Sequence, residues 1–235
     1  MNIICHARLP VAIDLAQLQR EVNQLLTREW IAHMNRAHYN GGWDVLPLRS
    51  AGGKTGMVMP IGGMPYADTP YMDDCPYIRQ LVSSMGTGAS AIRLLNLKPG
   101  AQIKPHRDHD LSYEDGEMRV HIPVFTNPGV VFMLDGQRLV MEEGSCWYIN
   151  ANLTHSLANE GPADRIHLVI DYKVNDRLRE LLGSPLRDKR ERRKTLDRPA
   201  TERTIRALRA LGTGQGMELA AQLQQQLDED ARLAQ

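Results

Sequence analysis

The spacing of apolar residues divides the chain into three parts. Near the start, Leu15, Leu18, Val22, Leu25 and Leu26 recur at helical spacing, which predicts an amphipathic helix over 14–34 with Asp14 as cap and Gln17 three residues later. Residues 39–75, rich in Gly, Pro, Met and Tyr, hold no sustained period and predict loops and short strands, a suitable place for a substrate rim. Asp74 and Pro76 then open a short helix through 85. From 92 to 172 the pattern changes to short strands at close spacing, over 92–97, 118–125, 130–134, 137–141, 145–149, 156–159 and 165–172. Asp135-Gly136, set between two of these runs, is a strong two-residue hairpin signal. After Tyr172 the helical pattern returns over 175–182, 201–211 and 217–234, with Gly183, Pro185 and Gly212 as stops.

Many short strands joined by turns, with no long helix between them, predict a mainly β fold of the sandwich or jelly-roll class rather than a parallel α/β sheet. We therefore expect a β domain with N-terminal helices over 1–173 and a helical extension over 174–235.

Composition narrows the class. The chain has 235 residues, 42% hydrophobic and 24% charged, enough to bury a full core without staples and too apolar for disorder. Twenty-eight basic residues balance 28 acidic ones, so net charge does not point to nucleic acid. The balance hides a basic segment: residues 174–209 carry 12 Arg or Lys against 6 Asp or Glu. No aromatic residue is interleaved with those charges, so a solvated helical face is the plainer account and nucleic acid is not expected. No run approaches the roughly 20 apolar residues that span a bilayer, and the first ten residues lack the pattern of a signal peptide. Cys5, Cys75 and Cys146 are too far apart for a metal or redox motif and odd in number. A reduced, cytoplasmic protein is the expectation.

Two motif-like runs fail on inspection. Gly52-Gly53-Lys54-Thr55 resembles the end of a phosphate loop, but Leu48 stands where that loop needs Gly. His106-Arg107-Asp108 resembles a kinase catalytic loop, but Tyr113 holds the place of the metal-binding Asn.

The chemistry lies in the histidines of the β region. His106 and Asp108 stand at i and i+2, so in an extended segment both face one way and reach one metal ion. His155 as a third ligand would give two imidazoles and a carboxylate on one face of the ion, the donor set of non-haem Fe(II) oxygenases. Arg165 lies ten residues past His155, at the start of the last strand, placed for a bidentate contact with a carboxylate. Arg119 and His121 again share a face. For these three an outward-facing charged strand is the competing account, because sheet strands normally alternate in and out. His109 and Asp110 read as loop hydrogen-bonding groups, His167 as either a cavity or a core histidine, and Trp147 as wall or core. Trp43, Asp44, Arg49, Tyr66 and Arg93 are candidates to grip a substrate amine or carboxylate, and Met57, Met59 and Met64 fit an apolar rim.

Taken in order, the runs from Leu97 to Asp108, Arg119-Val120-His121-Ile122-Pro123, Gly144 to Asn150 and His155 to Asp171 resemble the aspartyl/asparaginyl β-hydroxylase family of Fe(II)- and 2-oxoglutarate-dependent dioxygenases, which includes bacterial cis-proline hydroxylases. The resemblance covers roughly residues 90–175. It implies a double-stranded β-helix (jelly-roll, cupin-like) core, with Fe(II), 2-oxoglutarate and O2 as cofactor and cosubstrates. It implies His106, Asp108 and His155 as iron ligands, Arg165 as partner of the distal carboxylate of 2-oxoglutarate, and Arg119 and His121 as cosubstrate or substrate contacts. Animal peptidyl members have Gly where this chain has Asp108, and halogenating relatives have a small residue there, so Asp108 argues for hydroxylation with a full triad. The implied substrate is an amino acid, free or carried on a peptide or other carrier, and the implied products include succinate and carbon dioxide. Two other classes stay open. A cupin-type metal enzyme would work without 2-oxoglutarate, and a non-catalytic sensor would use the basic segment 187–198 for docking.

Overall fold

The computed structural model describes residues 2–58, 64–184, 188–193 and 195–233. They fall into two compact units, one spanning Ile4–Glu191 and one from Arg192 onward with the chain's first residues. The strands in chain order are β1 (Asn2–Leu9), β2 (Ile31–Ala32), β3 (Tyr39–Asn40), β4 (Trp43–Ala51), β5 (Tyr66–Asp68), β6 (Ala89–Leu97), β7 (Gln102–His106), β8 (Glu117–Phe125), β9 (Val130–Leu134), β10 (Gln137–Leu139), β11 (Cys146–Ile149), β12 (His155–Asn159), β13 (Arg165–Lys173) and β14 (Arg190–Arg193). The helices are α1 (Leu15–Leu25), α2 (Pro76–Ser84), α3 (Asp176–Gly183), α4 (Arg198–Leu211) and α5 (Gly214–Leu233).

Two antiparallel sheets make the jelly roll. The larger runs β1-β11-β8-β13-β6-β4-β2, with β5 along β4, and the smaller runs β10-β9-β12-β7-β3. The β9–β10 hairpin turns on Asp135 and Gly136, both at positive φ (50° and 76°), the two-residue turn its sequence announces. Helices α1, α2 and α3 cover one face of the larger sheet. There Leu18, Val22, Ile78, Leu81, Leu178 and Leu182 pack with Leu46, Leu94, Val120, Ile122, Leu168 and Ile170 in one buried cluster.

The opposite face of that sheet is also buried, which explains the strands the sequence hid. β13 is buried along eight of its nine residues, so the competing account of a solvated charged face fails for Arg165. β4 reads Trp-Asp-Val-Leu-Pro-Leu, nearly continuous apolar residues without a period of two, because both of its faces are covered. Its Pro47 sits at a register shift against β6, where a missing ladder donor is tolerated. Helix α1 ends at Leu25, nine residues earlier than expected, and the Trp30 indole closes its end by donating to the Leu25 carbonyl at 3.0 Å. Residues 31–32 then join the sheet as β2.

The unit beyond Arg192 has its own small core of Ile205, Ala220 and Leu227, with α4 capped by Asp197 and ended by Gly212 at φ +62°. Among the described residues no helix is long and apolar enough to cross a membrane. Met59, Arg187 and Lys194 lie outside the described residues.

Candidate active site

β7 and β12 lie side by side in the smaller sheet, and their register sets His106 directly opposite His155. The two rings sit 4.2 Å apart between centroids. Each Nδ1 meets the backbone carbonyl two residues earlier at 2.9 Å, Lys104 for His106 and Leu153 for His155. A carbonyl only accepts, so each Nδ1 carries the proton and each Nε2 keeps a free lone pair. Asp108 follows β7 in a loop pinned by its own N–H donating to the Ala151 carbonyl at 2.9 Å. Asp110, at φ +61°, then turns the chain so that the Leu111 N–H meets the Asn152 side chain at 3.1 Å. One ligand atom from each of His106, Asp108 and His155 lies within 4.8 Å of the other two, close enough to hold one metal ion. Burial lowers the His155 pKa to about 4, which keeps the imidazole in its metal-binding neutral form.

The larger sheet supplies charged groups from β6, β8 and β13 on the face away from the helices. Arg119 contacts the Asp108 carboxylate through one terminal nitrogen. Its other two nitrogens grip Asp171 bidentately at 2.7 and 3.0 Å, and Arg93 donates to the same carboxylate at 2.5 Å. Burial pushes the Asp171 pKa up, but the two guanidiniums outweigh it and hold it at about 2. Burial likewise raises the Asp108 pKa, while Arg119 and the two imidazoles pull it below the usual carboxylate range. The sequence offered Asp171 as part of a family run without giving it a role. Its parity with Arg165 and His167 along β13 was the signal.

At the other end of that face Arg165 is 2% exposed. It donates to Nδ1 of His167 at 2.7 Å, and its Nε has no partner. Among the described residues no carboxylate pairs with it, and burial alone lowers its pKa to about 9. Burial, then the Arg165 charge, also drives the His121 and His167 pKa values well below normal, so both stay neutral. His121 points its unpartnered Nδ1 into the same buried region.

A cavity of about 660 Å³ joins these groups, lined among others by His106, Asp108, His155, Arg119, His121 and Arg165. Phe132 and the stacked pair His33–Trp43, 3.5 Å between centroids, complete its apolar wall. His33 and Phe132 went unnoticed in the sequence because a lone aromatic in a loop or strand carries no pattern. Of the candidate substrate-gripping residues, Trp43 and Arg93 line this cavity, and Arg49, Tyr66 and Arg93 line a neighbouring one. Asp44 lines neither. Arg49 is paired with Asp68 at 2.7 Å. His109 borders both cavities, and Met57 borders the second. Trp147 lies on the same face of the larger sheet as His121, its partner on β8, but lines a separate pocket, with its indole donating to Ser145 at 2.8 Å.

A jelly roll with two histidines and a carboxylate converging in its cavity defines a candidate metal-binding scaffold. The model of the aspartyl/asparaginyl beta-hydroxylase family matches residues 13–174, and the chain belongs to that family. It is 28% identical over 174 residues to the L-proline cis-4-hydroxylase of Rhizobium meliloti (strain 1021), covering 70% of this chain and 59% of that one. It is 26% identical over 167 residues to an L-proline cis-3-hydroxylase of Streptomyces sp., covering 68% and 57%. The chain thus spans under three-fifths of either relative's length. A crystal structure of an oxidoreductase of the 2OG-Fe(II) oxygenase family from Burkholderia pseudomallei superposes with a TM-score of 0.52 over 73% of this chain and 86% of that one. At 15% identity that likeness concerns the fold.

Proposed function

We propose that this chain is an Fe(II)- and 2-oxoglutarate-dependent hydroxylase of an amino acid, with His106, Asp108 and His155 as iron ligands. The observation that carries the reading is the three convergent ligand atoms within 4.8 Å, in one cavity with a buried guanidinium that has no counter-charge among the described residues. Two neutral imidazoles and a carboxylate suit Fe(II) and leave positions on the ion for other ligands. An uncompensated buried cation calls for an anion, and the far carboxylate of 2-oxoglutarate is one. Arg165 therefore anchors the cosubstrate, with His167 fixing the guanidinium and His121 adding a neutral polar contact.

When bound, iron and 2-oxoglutarate supply the oxidising chemistry, with O2 consumed and succinate and carbon dioxide released. The chain's own residues position the partners. Lys104 and Leu153 hold the two imidazoles in one tautomer. Arg119 takes one carboxylate oxygen of Asp108 and leaves the other for the metal. Phe132, Trp43 and His33 keep the cavity wall apolar, which excludes water from the reacting centre. The names of the relatives favour proline or a close analogue as substrate. The reading predicts a cytoplasmic enzyme.

The test is reconstitution with Fe(II) under argon, then succinate release from 2-oxoglutarate in air across a panel of free amino acids and short peptides. Substrate-stimulated succinate with a product heavier by one oxygen is the expected result. Turnover of a substrate without 2-oxoglutarate would instead support a cupin-type enzyme, and binding of neither iron nor 2-oxoglutarate would support a sensor.

A further inference from the structure

One guanidinium, that of Arg119, meets two carboxylates, and the way it is divided between them bears on the metal ligands. Arg119, Asp171 and Arg93 stand on the adjacent strands β8, β13 and β6. Asp171 is 8% exposed, and Arg119 lies directly opposite it on β8. On its other side the β13–β6 register shifts between Ile170 and Tyr172, and Ser90 beside that shift donates its hydroxyl to the Asp171 carbonyl at 3.0 Å. Irregularities of this kind re-aim a side chain next to a site.

Asp171 takes one whole edge of the guanidinium. Nε of Arg119 donates to its Oδ1 at 2.7 Å and Nη2 to its Oδ2 at 3.0 Å. Arg93 donates to the same Oδ2 at 2.5 Å from the β6 side, which keeps the carboxylate from turning. Only Nη1 of Arg119 remains, and it donates to Oδ2 of Asp108. Oδ1 of Asp108 is left over and lies 3.6 Å from Nε2 of His106, the nitrogen with the free lone pair. A guanidinium whose Nε–Nη2 edge is free favours two parallel hydrogen bonds to one carboxylate over a single one. Such a pairing with Asp108 would take Oδ1 as well as Oδ2. Without Asp171, Arg119 would therefore compete with a metal ion for the carboxylate ligand.

We propose that Asp171 is a positioning residue for the metal site: by occupying the two-point edge of Arg119, it restricts that guanidinium to one oxygen of Asp108 and keeps the other oxygen for the metal. Asp171 is not itself a ligand and acts through Arg119. This role rests on the reading of His106, Asp108 and His155 as metal ligands.

The experiment is calorimetric titration of the full chain with Co(II), read as the dissociation constant. Asp171→Asn should weaken Co(II) binding roughly 10- to 100-fold, the usual effect of losing a group that orients a metal ligand. Arg93→Met combined with Asp171→Asn removes one charge of each sign, so the buried cluster stays balanced, and this variant serves where the single one does not fold. It should show the same loss, because it frees the same edge of Arg119 while the net charge around the metal is unchanged. In an Arg119→Met background, adding Asp171→Asn should change Co(II) binding by less than about twofold, since no guanidinium is left to release. A residue that merely supported the sheet or attracted the cation would cost the same in both backgrounds. Wild-type affinity in the Asp171 variants, a loss that Arg93→Met restores, or an equal loss without Arg119 would each overturn the proposal. If His155→Ala abolishes Co(II) binding in those cases, the ligand reading survives. If His155→Ala binds Co(II) as the wild type does, the ligand reading and this role fall together.

Discussion

The two faces of β13 carry opposite chemistry at equal burial. Ile166, Leu168, Ile170 and Tyr172 meet the helices, while Arg165, His167 and Asp171 turn to the opposite face, where Arg165 lines the larger cavity and Asp171 the neighbouring one, and every one of them is 8% exposed or less. The helix face loses water and gains packing, which stabilises the fold. The cavity face loses water and gains no comparable packing, so it needs pairing or a ligand. Asp171 has pairing from two guanidiniums, while Arg165 meets only the neutral His167 and, among the described residues, no carboxylate. The difference teaches where to look for function: a buried charge that the fold itself does not satisfy marks where a ligand belongs.

Substitutions on the two faces should therefore separate activity from stability. His155→Ala, on β12 of the smaller sheet across the cavity, has the largest expected effect, loss of stoichiometric metal and of all turnover, with the unfolding midpoint little changed. Metal analysis alongside urea unfolding checks it, and wild-type metal content would overturn the ligand assignment. Leu168→Ala does the reverse. It opens a hole in the cluster shared with α1 to α3 and should cost about 2–5 kcal/mol, while turnover per folded molecule persists.

Arg165→Met sharpens the comparison within the cavity face itself. Removing an unpaired buried cation lifts a desolvation cost, so stability should hold or rise. The 2-oxoglutarate requirement should rise roughly 10- to 100-fold, the loss expected for a charge-assisted bidentate contact. A variant that loses stability and keeps its 2-oxoglutarate requirement would move the anchor elsewhere, with Arg119 the next candidate.

How much of this was legible depended on which faces were wet. The α1 stripe and the Asp135-Gly136 turn stood out because each pairs apolar periodicity or turn chemistry with solvent. β4 did not, because a strand covered on both sides loses its alternation, and β7 did not, because only Ile103 of its five residues is buried. The metal-ligand pair was visible through its i, i+2 spacing, whereas its pairing with His155 comes from a register that links residues 49 positions apart. The Arg93–Asp171–Arg119 cluster joins three strands. Each member is an ordinary charged residue in sequence, and only the sheet order makes them neighbours.

The smallest effect tests how far the desolvation of the cavity reaches toward its mouth. Half-buried His33, stacked on Trp43, has its pKa lowered to about 4, with burial the main cause. In the unfolded chain an imidazole takes its proton near 6.5. Between these values the unfolded state binds more protons than the folded one, so stability falls as pH drops from about 6.5 to 4. His121 and His167 act with the same sign and give the wild type its overall slope. His33→Phe keeps a flat ring against Trp43 without a titrating group, so its melting temperature should decline less over that window while the remaining slope persists. The difference is modest, because water screens a group at the cavity edge. An identical slope in both proteins would mean that His33 is protonated in the folded state near its ordinary pH, and that the dry region stops short of the His33–Trp43 pair.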